Sequence, residues 1–250
     1  MTTTTITGLV DADIIAYQAA AAVEQPFDWG NGLWTLHAFE NEAITHLENA
    51  ITTIKDVTGV TNLLMALTSI DNWRVDVLPT YKMNRKKTRK PILLPFLRQY
   101  LVDNYKTIAI PRLEGDDILG ILSTTHAPAL IISLDKDLKT VPGDHYHLTT
   151  RELSYVSEDE ANYNHFFQTL TGDLTDGYAG CPGIGPVSAA RLLDGLSYED
   201  MWAVIVKAFA KAKLPESAAI QQARVARICR ASDFNPITQE VILWNPPHIR

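Results

Sequence analysis

The sequence predicts an α/β fold, a mainly parallel central sheet flanked by helices, followed by a helical C-terminal region. Three observations carry that expectation. Short apolar runs at 6–10, 62–67 and 129–133 alternate with longer stretches of helical spacing, as in strands joined by helical crossovers. An acidic residue stands just past each run, at Asp11, Asp71 and Asp135. After Ser157 the strand signal ends and only helical periodicity continues.

The first strand, 6–10, leads through Asp11-Ala12-Asp13 into an alanine-rich helix from 14 to about 23. Between Trp29 and Trp34 the dipeptide Asn31-Gly32 marks a hairpin. Ala43, Ile44, Leu47, Ile51 and Ile54 place a helix over 40–57, stopped by Gly59. The strand at 62–67 precedes Asp71-Asn72-Trp73-Arg74 and a basic run. A helix over 92–105 carries Leu93, Leu94, Leu97 and Leu101 on one face. Ile108-Ala109-Ile110 reads as a strand, Pro111 as a turn, and Ile118 onward as a helix. Past the strand at 129–133, segments 145–148 and 153–156 read as two strands forming an antiparallel edge. Helices follow at 157–170, 186–193, 198–212 and 216–231. The tail past Ser232, with Pro236, Pro246 and Pro247, reads as extended over the surface. The expected organisation is an α/β core over 1–160 with a basic arch at about 80–105. A helical region over 161–250 then carries a hairpin motif at about 171–194.

The chain has 250 residues, 46% of them hydrophobic, enough for a proper core. No apolar run reaches the ~18 residues that span a bilayer. The polar start Met1-Thr2-Thr3-Thr4-Thr5 predicts no secretory leader, so a cytoplasmic location without membrane contact is expected. Cys181 and Cys229 have no metal-ligand spacing and read as reduced thiols. His145 and His147 alternate in a strand and read as structural or surface groups.

The chemistry centres on Glu114-Gly115-Asp116-Asp117. One carboxylate there would cap a helix. Three within four positions repel one another unless a cation neutralises them. Asp11, Asp71, Asp135 and Asp137 lie past strands, and Asp173 and Asp176 are three apart. In a parallel sheet the carboxyl ends of the strands share one edge, so these acids converge. Setting those nine carboxylates aside from the net charge of −7 leaves the rest of the chain at +2. Hard divalent ions such as Mg²⁺ take oxygen ligands, and a pair of them suits phosphodiester hydrolysis.

Two further stretches point to nucleic acid. Tyr81 precedes a run with six basic residues and no acid: Lys82, Arg85, Lys86, Lys87, Arg89 and Lys90. A solvated loop is the ordinary explanation of such a run. Its position beside an acidic strand end favours a phosphate clamp, with Lys82 and Arg85 on one helix face and Tyr81 stacking on a base or sugar. Gly180-Cys181-Pro182-Gly183-Ile184-Gly185-Pro186 makes a tight turn opening a helix, in a helix–hairpin–helix pattern. Gly183, Ile184, Gly185 and Ser188 would grip a phosphate backbone without reading sequence. No strand precedes Gly183 and the third glycine is missing, which excludes a dinucleotide fingerprint.

In this order the motifs resemble the flap endonuclease / 5′–3′ exonuclease family. The matching pieces are Val10-Asp11, Asp71 before Trp73-Arg74, Tyr81-Lys82 with Arg85, Glu114 with Asp116-Asp117, Asp135 with Asp137, Gly172-Asp173 with Asp176, and Gly183-Ile184-Gly185. The resemblance implies a helical arch over the site and two Mg²⁺ ions, for which Mn²⁺ can substitute. One ion would be held by Asp11, Asp71, Glu114, Asp116 and Asp135. The other would be held by Asp137, Asp173 and Asp176, with Asp117 shared or nearby. Lys82 and Arg85 match phosphate-contacting residues, and backbone carbonyls at 181–184 match a K⁺ site. The implied activity is hydrolysis of DNA from 5′ ends, nicks or flaps, and of RNA primers in hybrids, to 5′-phosphate products during replication, where replication proteins are further partners. The small size and short loops look like the phage branch. Two positions depart from the pattern. The short link between Leu67 and Trp73 displaces Asp71, and Asp13 stands where the family often has a small polar residue. The residues alone leave open a PIN-type ribonuclease and a non-catalytic, structure-specific DNA-binding protein.

Overall fold

A computed structural model describes residues 6–125 and 128–246. In chain order β1 (Thr7–Asp11) runs directly into α1 (Ala12–Ala22), and β2 (Gln25–Asp28) and β3 (Trp34–His37) form a separate hairpin. Then come α2 (Glu40–Thr58), β4 (Asn62–Ala66), the one-turn α3 (Arg74–Val77) and a 3₁₀ turn at Met83–Lys87. They are followed by α4 (Leu94–Asn104), β5 (Thr107–Ile108), α5 (Gly115–Ser123) and β6 (Ala129–Ser133). After a 3₁₀ turn at Lys136–Thr140 come β7 (Gly143–His147) and β8 (Leu153–Val156). The C-terminal helices are α6 (Glu158–Thr171), α7 (Pro186–Leu193), α8 (Tyr198–Lys211) and α9 (Glu216–Ala226), and a short hairpin of β9 (Phe234–Asn235) and β10 (Glu240–Val241) follows.

The sheet order is β5-β4-β1-β6-β7-β8, all parallel except the edge strand β8. The chain builds outward from β1 to β4 and β5, then returns to β1's other side with β6. The topological switch point therefore falls between β1 and β6, where α/β sheets place their sites. Strand alternation divides the core. Val10, Leu63, Met65 and Ile132 face the cluster made with α1, α2 and α4. Leu9, Ala66 and Ile131 face α5 and the segment Ile228-Cys229. A third cluster, with Phe166, Trp202, Phe209 and Trp244, holds the C-terminal helices together.

The periodic elements fall where the sequence puts them, including the Gly59 left-handed cap at φ 69° and the antiparallel edge. Four expectations change. The strand at 108–110 shrinks to Thr107–Ile108. The last helix ends at Ala226 rather than 231, because Arg227 O and Cys229 N are taken by buried side chains, at 2.6 and 3.0 Å. The tail is not simply draped over the surface: it forms the β9–β10 hairpin and buries Trp244 among the C-terminal aromatics. Pro247 lies outside the described residues. The expected arch reduces to the 3₁₀ turn and an extended strap, since α4 packs Leu94, Leu97 and Leu101 into the core. Among the described residues no helix is long and apolar enough to cross a membrane.

Helix α5 meets the C-terminal segment at a glycine for steric reasons. A Cβ on Gly120 would stand 2.3 Å from Cys229 O and 3.0 Å from Ile228 Cγ2. Gly120→Ala is therefore expected to destabilise by about 1–3 kcal/mol despite Ala's better helix propensity, read as a lower midpoint in urea denaturation.

Candidate active site

Asp11 ends β1 and caps α1, accepting Ile14 N at 3.2 Å, and its second oxygen accepts Ser133 Oγ at 2.9 Å. Parallel pairing sets Asp11 opposite Ala66 and Val10 opposite Ile132, so residues past β4 and β6 arrive at the same edge. Asp135 accepts Asp137 N at 2.8 Å in the turn after β6, and Asp137 is held by Gln168 Nε2 at 2.9 Å. Glu114 caps α5, and Asp116 follows in its first turn. Asp176 comes from the turn after α6. The side chains of Asp11, Glu114, Asp116, Asp135, Asp137 and Asp176 line one cleft together with Tyr81, Lys82 and Arg85.

The charges in this cleft are unbalanced. Burial, then the carboxylates of Asp11 and Asp135, push the Asp116 carboxyl well above the usual range. Burial and Asp135 raise Asp11 to about 6. Asp137 also rises to about 6, through burial and then Asp135, Asp173 and Asp176. Lys82 is the internal counter-charge. Its Nζ lies 2.5 Å from Glu114 and 3.6 Å from Asp176, and its field also reaches Asp11 and Asp116. Arg85 pairs with Asp176 and donates to Thr175 O at 3.1 Å. Among the described residues no three acids converge closely enough to form a ready cage, as expected of carboxylates that repel. The donor set is hard oxygen throughout, with an ammonium standing where positive charge is needed. It suits divalent cations of the Mg²⁺ or Mn²⁺ kind.

Three predicted site residues sit elsewhere. Asp71 is exposed in the loop past β4 and does not line the cleft. Thr68, near the start of that loop, stands there instead: its N–H donates to Asp13 at 2.7 Å and its Oγ1 accepts Gly115 N at 3.0 Å. Asp13 thus enters the cleft rim, paired with Arg98. Asp117 points away from the cleft into the protein. It is fully buried, takes Arg74 on both oxygens at 2.7 and 2.8 Å, and accepts Trp73 Nε1 and Cys229 N. Burial would raise its pKa, but Arg74 holds it below the usual range. Asp117 is a structural anchor rather than a catalytic group. Asp173 is spent on its own turn, accepting Thr175 N and Asp176 N, and reaches Asp137 only through its field.

Of the nucleic-acid candidates, Tyr81 is buried with its hydroxyl on Glu114 and Asp176, at 3.0 and 3.1 Å, which removes it as a stacking face. Lys87 and Lys90 are exposed, and Arg89 is held by both oxygens of Glu24. The Lys86 side chain lies outside the described part of the structure. In the hairpin motif Gly183, Gly185 and Ser188 are exposed at the start of α7, with Gly183 at φ 78°, while Ile184 packs toward the helical core.

Against this geometry, a family model for the 5′-3′ exonuclease N-terminal resolvase-like domain matches residues 7–168. The chain belongs to that family. The exodeoxyribonuclease of Enterobacteria phage T3 and the exonuclease of Escherichia phage T7 are each 31% identical to it over 278 aligned positions. The alignments cover 95% of this chain and 92% and 93% of theirs. A phage T5 protein co-crystallised with metal ions shares the fold, with a TM-score of 0.66 over 88% of both chains at 16% identity.

The family motifs include Trp73-Arg74 but give Arg74 no role in the site, and this residue holds the site together. Its guanidinium reaches Asp117, Glu114 (3.3 Å), Val225 O (3.0 Å) and Arg227 O (2.6 Å), and it lies 4.5 Å from the Trp73 ring. Burial disfavours its charge, yet Asp117, Tyr81 and Glu114 raise its pKa overall. Its place in the Trp73-Arg74 pair, ahead of Val75, Val77 and Leu78, is the available sequence signal. Arg74→Met strands Asp117 as a buried charge and is expected to cost about 3–5 kcal/mol. Arg74→Met combined with Asp117→Leu should recover much of the loss, as read by denaturant midpoints.

Asp11 binds its proton more tightly folded than unfolded, where its pKa is about 3.9. Its contribution to stability is therefore present below pH 4 and lost as pH rises to about 6. In EDTA, Asp11→Asn should become progressively more stable than wild type from pH 4 to 6 and then level off. Mg²⁺ or Mn²⁺ at pH 7.5 should raise the wild-type melting temperature more than the variant's, with the increment shrinking below pH 6.

Proposed function

We propose that this protein is a metal-dependent 5′–3′ exonuclease with 5′ flap endonuclease activity, hydrolysing phosphodiester bonds of duplex or flapped DNA during replication. RNA primers in RNA–DNA hybrids are a further substrate, and the products carry 5′-phosphates. The observation that carries this reading is the cleft itself, seven carboxylates from four segments of the chain beside Lys82 and Arg85 at the sheet's switch point. Two Mg²⁺ ions, replaceable by Mn²⁺, suit that donor set. Asp11, Glu114, Asp116 and Asp135 would hold one, and Asp137 and Asp176, with Asp173 nearby, the other. Bound there, such ions supply charge neutralisation and Lewis-acid activation for in-line hydrolysis.

The chain's own groups do the rest. Lys82 neutralises Glu114 and Asp176 in the substrate-free cleft. With those acids held by cations, the Lys82 ammonium would face the scissile phosphate, where charge accumulates in the transition state. Arg85, half-exposed at the rim, presents a planar fork suited to phosphate. The exposed amides of Gly183 and Gly185 at the start of α7, with Ser188, would hold the duplex backbone at a distance, and carbonyls at 181–184 could take a K⁺ there.

The test uses DNA labelled at one end, as blunt duplex, nicked duplex, 5′ flap and RNA–DNA hybrid, with Mg²⁺ or EDTA. Products from the 5′ end that require metal are expected. Asp135→Ala should reduce cleavage to background and Lys82→Ala should lower it about 10²–10³-fold with binding retained. Tight binding without cleavage in either Mg²⁺ or Mn²⁺ would refute the enzymatic reading.

A further inference from the structure

The β2–β3 hairpin takes no part in the cleft and buries none of its strand residues. Phe27, Trp29 and Trp34 are 49%, 59% and 59% exposed, with Leu33 and Phe39 also bare. Contiguous apolar surface of this kind marks a binding site, and a lone two-stranded ribbon is marginal in water. The rings are nevertheless held in set orientations. Trp29 Nε1 donates to Thr35 Oγ1 at 2.8 Å, and Thr35 Oγ1 shares a hydrogen bond with His37 Nε2 at 2.9 Å. Phe27 leans on Trp29 with ring centroids 4.7 Å apart. Phe27 pairs with Thr35 and Gln25 with His37 across the ladder, so Phe27, Thr35 and His37 rise from one face. This is a pre-organised aromatic surface.

Its surroundings identify the occupant. Glu24, the residue before β2, takes Arg89 with both oxygens and Ile92 N at 2.7 Å. That fastens the exposed Lys87 and Lys90 near the root of the hairpin. Asp28 is the only carboxylate within the hairpin, and it is engaged by Gly30 N at 2.8 Å. Helix α1 links this surface to the cleft. Asp13 and Ile14 line the cleft. One turn on, Tyr17 is exposed and close enough to Arg89 to act on its charge, and Gln18, Ala21 and Ala22 continue the exposed face. The eleven residues of α1 span ~16 Å at 1.5 Å each, a length that a few nucleotides of one strand bridge.

We propose that the β2–β3 hairpin is a base-stacking platform for a single-stranded stretch of DNA a few nucleotides from the cleft. Phe27 and Trp29 stack on bases of any identity, while Lys87 and Lys90 take phosphates. The inference rests on the reading of the cleft as a site for DNA.

The test measures binding of a fluorescein-labelled oligothymidylate to the full chain by anisotropy in EDTA, so that cleavage plays no part. Trp29→Ala is expected to weaken binding about tenfold or more, with Trp29→Phe near wild type and both variants melting with the wild-type chain. Equal affinity of wild type and Trp29→Ala would overturn the proposal. So would a wild-type dimer that Trp29→Ala converts to monomer, which would make the rings a self-association surface. Trp29-dependent binding in a protein that cleaves no DNA would sink the nuclease reading and leave the platform standing.

Discussion

Like-charge repulsion at the carboxyl edge of the sheet is the constraint to which the rest of the structure answers. Parallel pairing leaves no choice about where the ends of β1, β4 and β6 lie, and the chain puts acids at or beside them. Two unit charges ~4 Å apart at a protein surface interact by about 4 kcal/mol, so several carboxylates in one cleft oppose folding. The chain's own groups limit this repulsion in three ways. Asp11, Asp116 and Asp137 hold their protons to higher pH than a free carboxyl does. Short-range donors such as Ser133 Oγ and Gln168 Nε2 fix individual oxygens. Lys82 inserts a positive charge between Glu114 and Asp176. Each is a partial substitute for what one divalent ion would do, and that gap is the driving force for metal binding.

The same constraint explains why α5 opens with three acids of different fate. Glu114 faces both ways, capping the helix while meeting Tyr81, Lys82 and Arg74. Asp116 turns to the cleft. Asp117 turns inward, where Arg74 cancels its charge and the backbone of Cys229 completes its hydrogen bonds. A buried pair of this sort adds little stability over an apolar replacement. It fixes orientation: with Asp117 locked, Glu114 and Asp116, two positions apart, present their carboxylates at set angles.

Most of the fold was legible because strand and helix periods are local properties. Asp11, Asp135 and Asp137 could be placed from sequence alone, since each follows an apolar run whose direction in a parallel sheet is fixed. What could not be read was direction of pointing. Asp116 and Asp117 are adjacent and chemically identical, and only the partner contributed 43 positions earlier, Arg74, separates their roles. Asp71 lay in the right loop by order, but a short link lets Thr68 and Asp13 occupy the rim instead. Tyr81 looked like a stacking face, yet its position behind Lys82 buries the ring and spends the hydroxyl on two acids. The end of α9 was missed for a similar reason: its carbonyls and amides are claimed by Arg74 and Asp117 from far away in the chain.

These long-range claims make the phosphate-facing groups and the acids one mechanical unit. Lys82 N donates to Asp176 O at 2.8 Å, and Asn84 reaches Leu174 O and Thr175 O, so the strap is seated on the turn after α6. That turn is closed by Gly172 and Gly180, whose backbones approach so tightly that a Cβ on Gly180 would stand 2.3 Å from Gly172 N. The hairpin motif begins at that contact. At its other end the strap is fastened to Glu24 through Arg89. The spacing between cleft, strap and hairpin motif is thereby set by a backbone hydrogen bond and a close glycine contact, backed by the side chains of Asn84 and Arg89. A rigid spacing of phosphate-binding groups measures the path of a nucleic-acid backbone, not its sequence. Under the proposed function, the shape of the DNA near its 5′ end is therefore what this architecture selects.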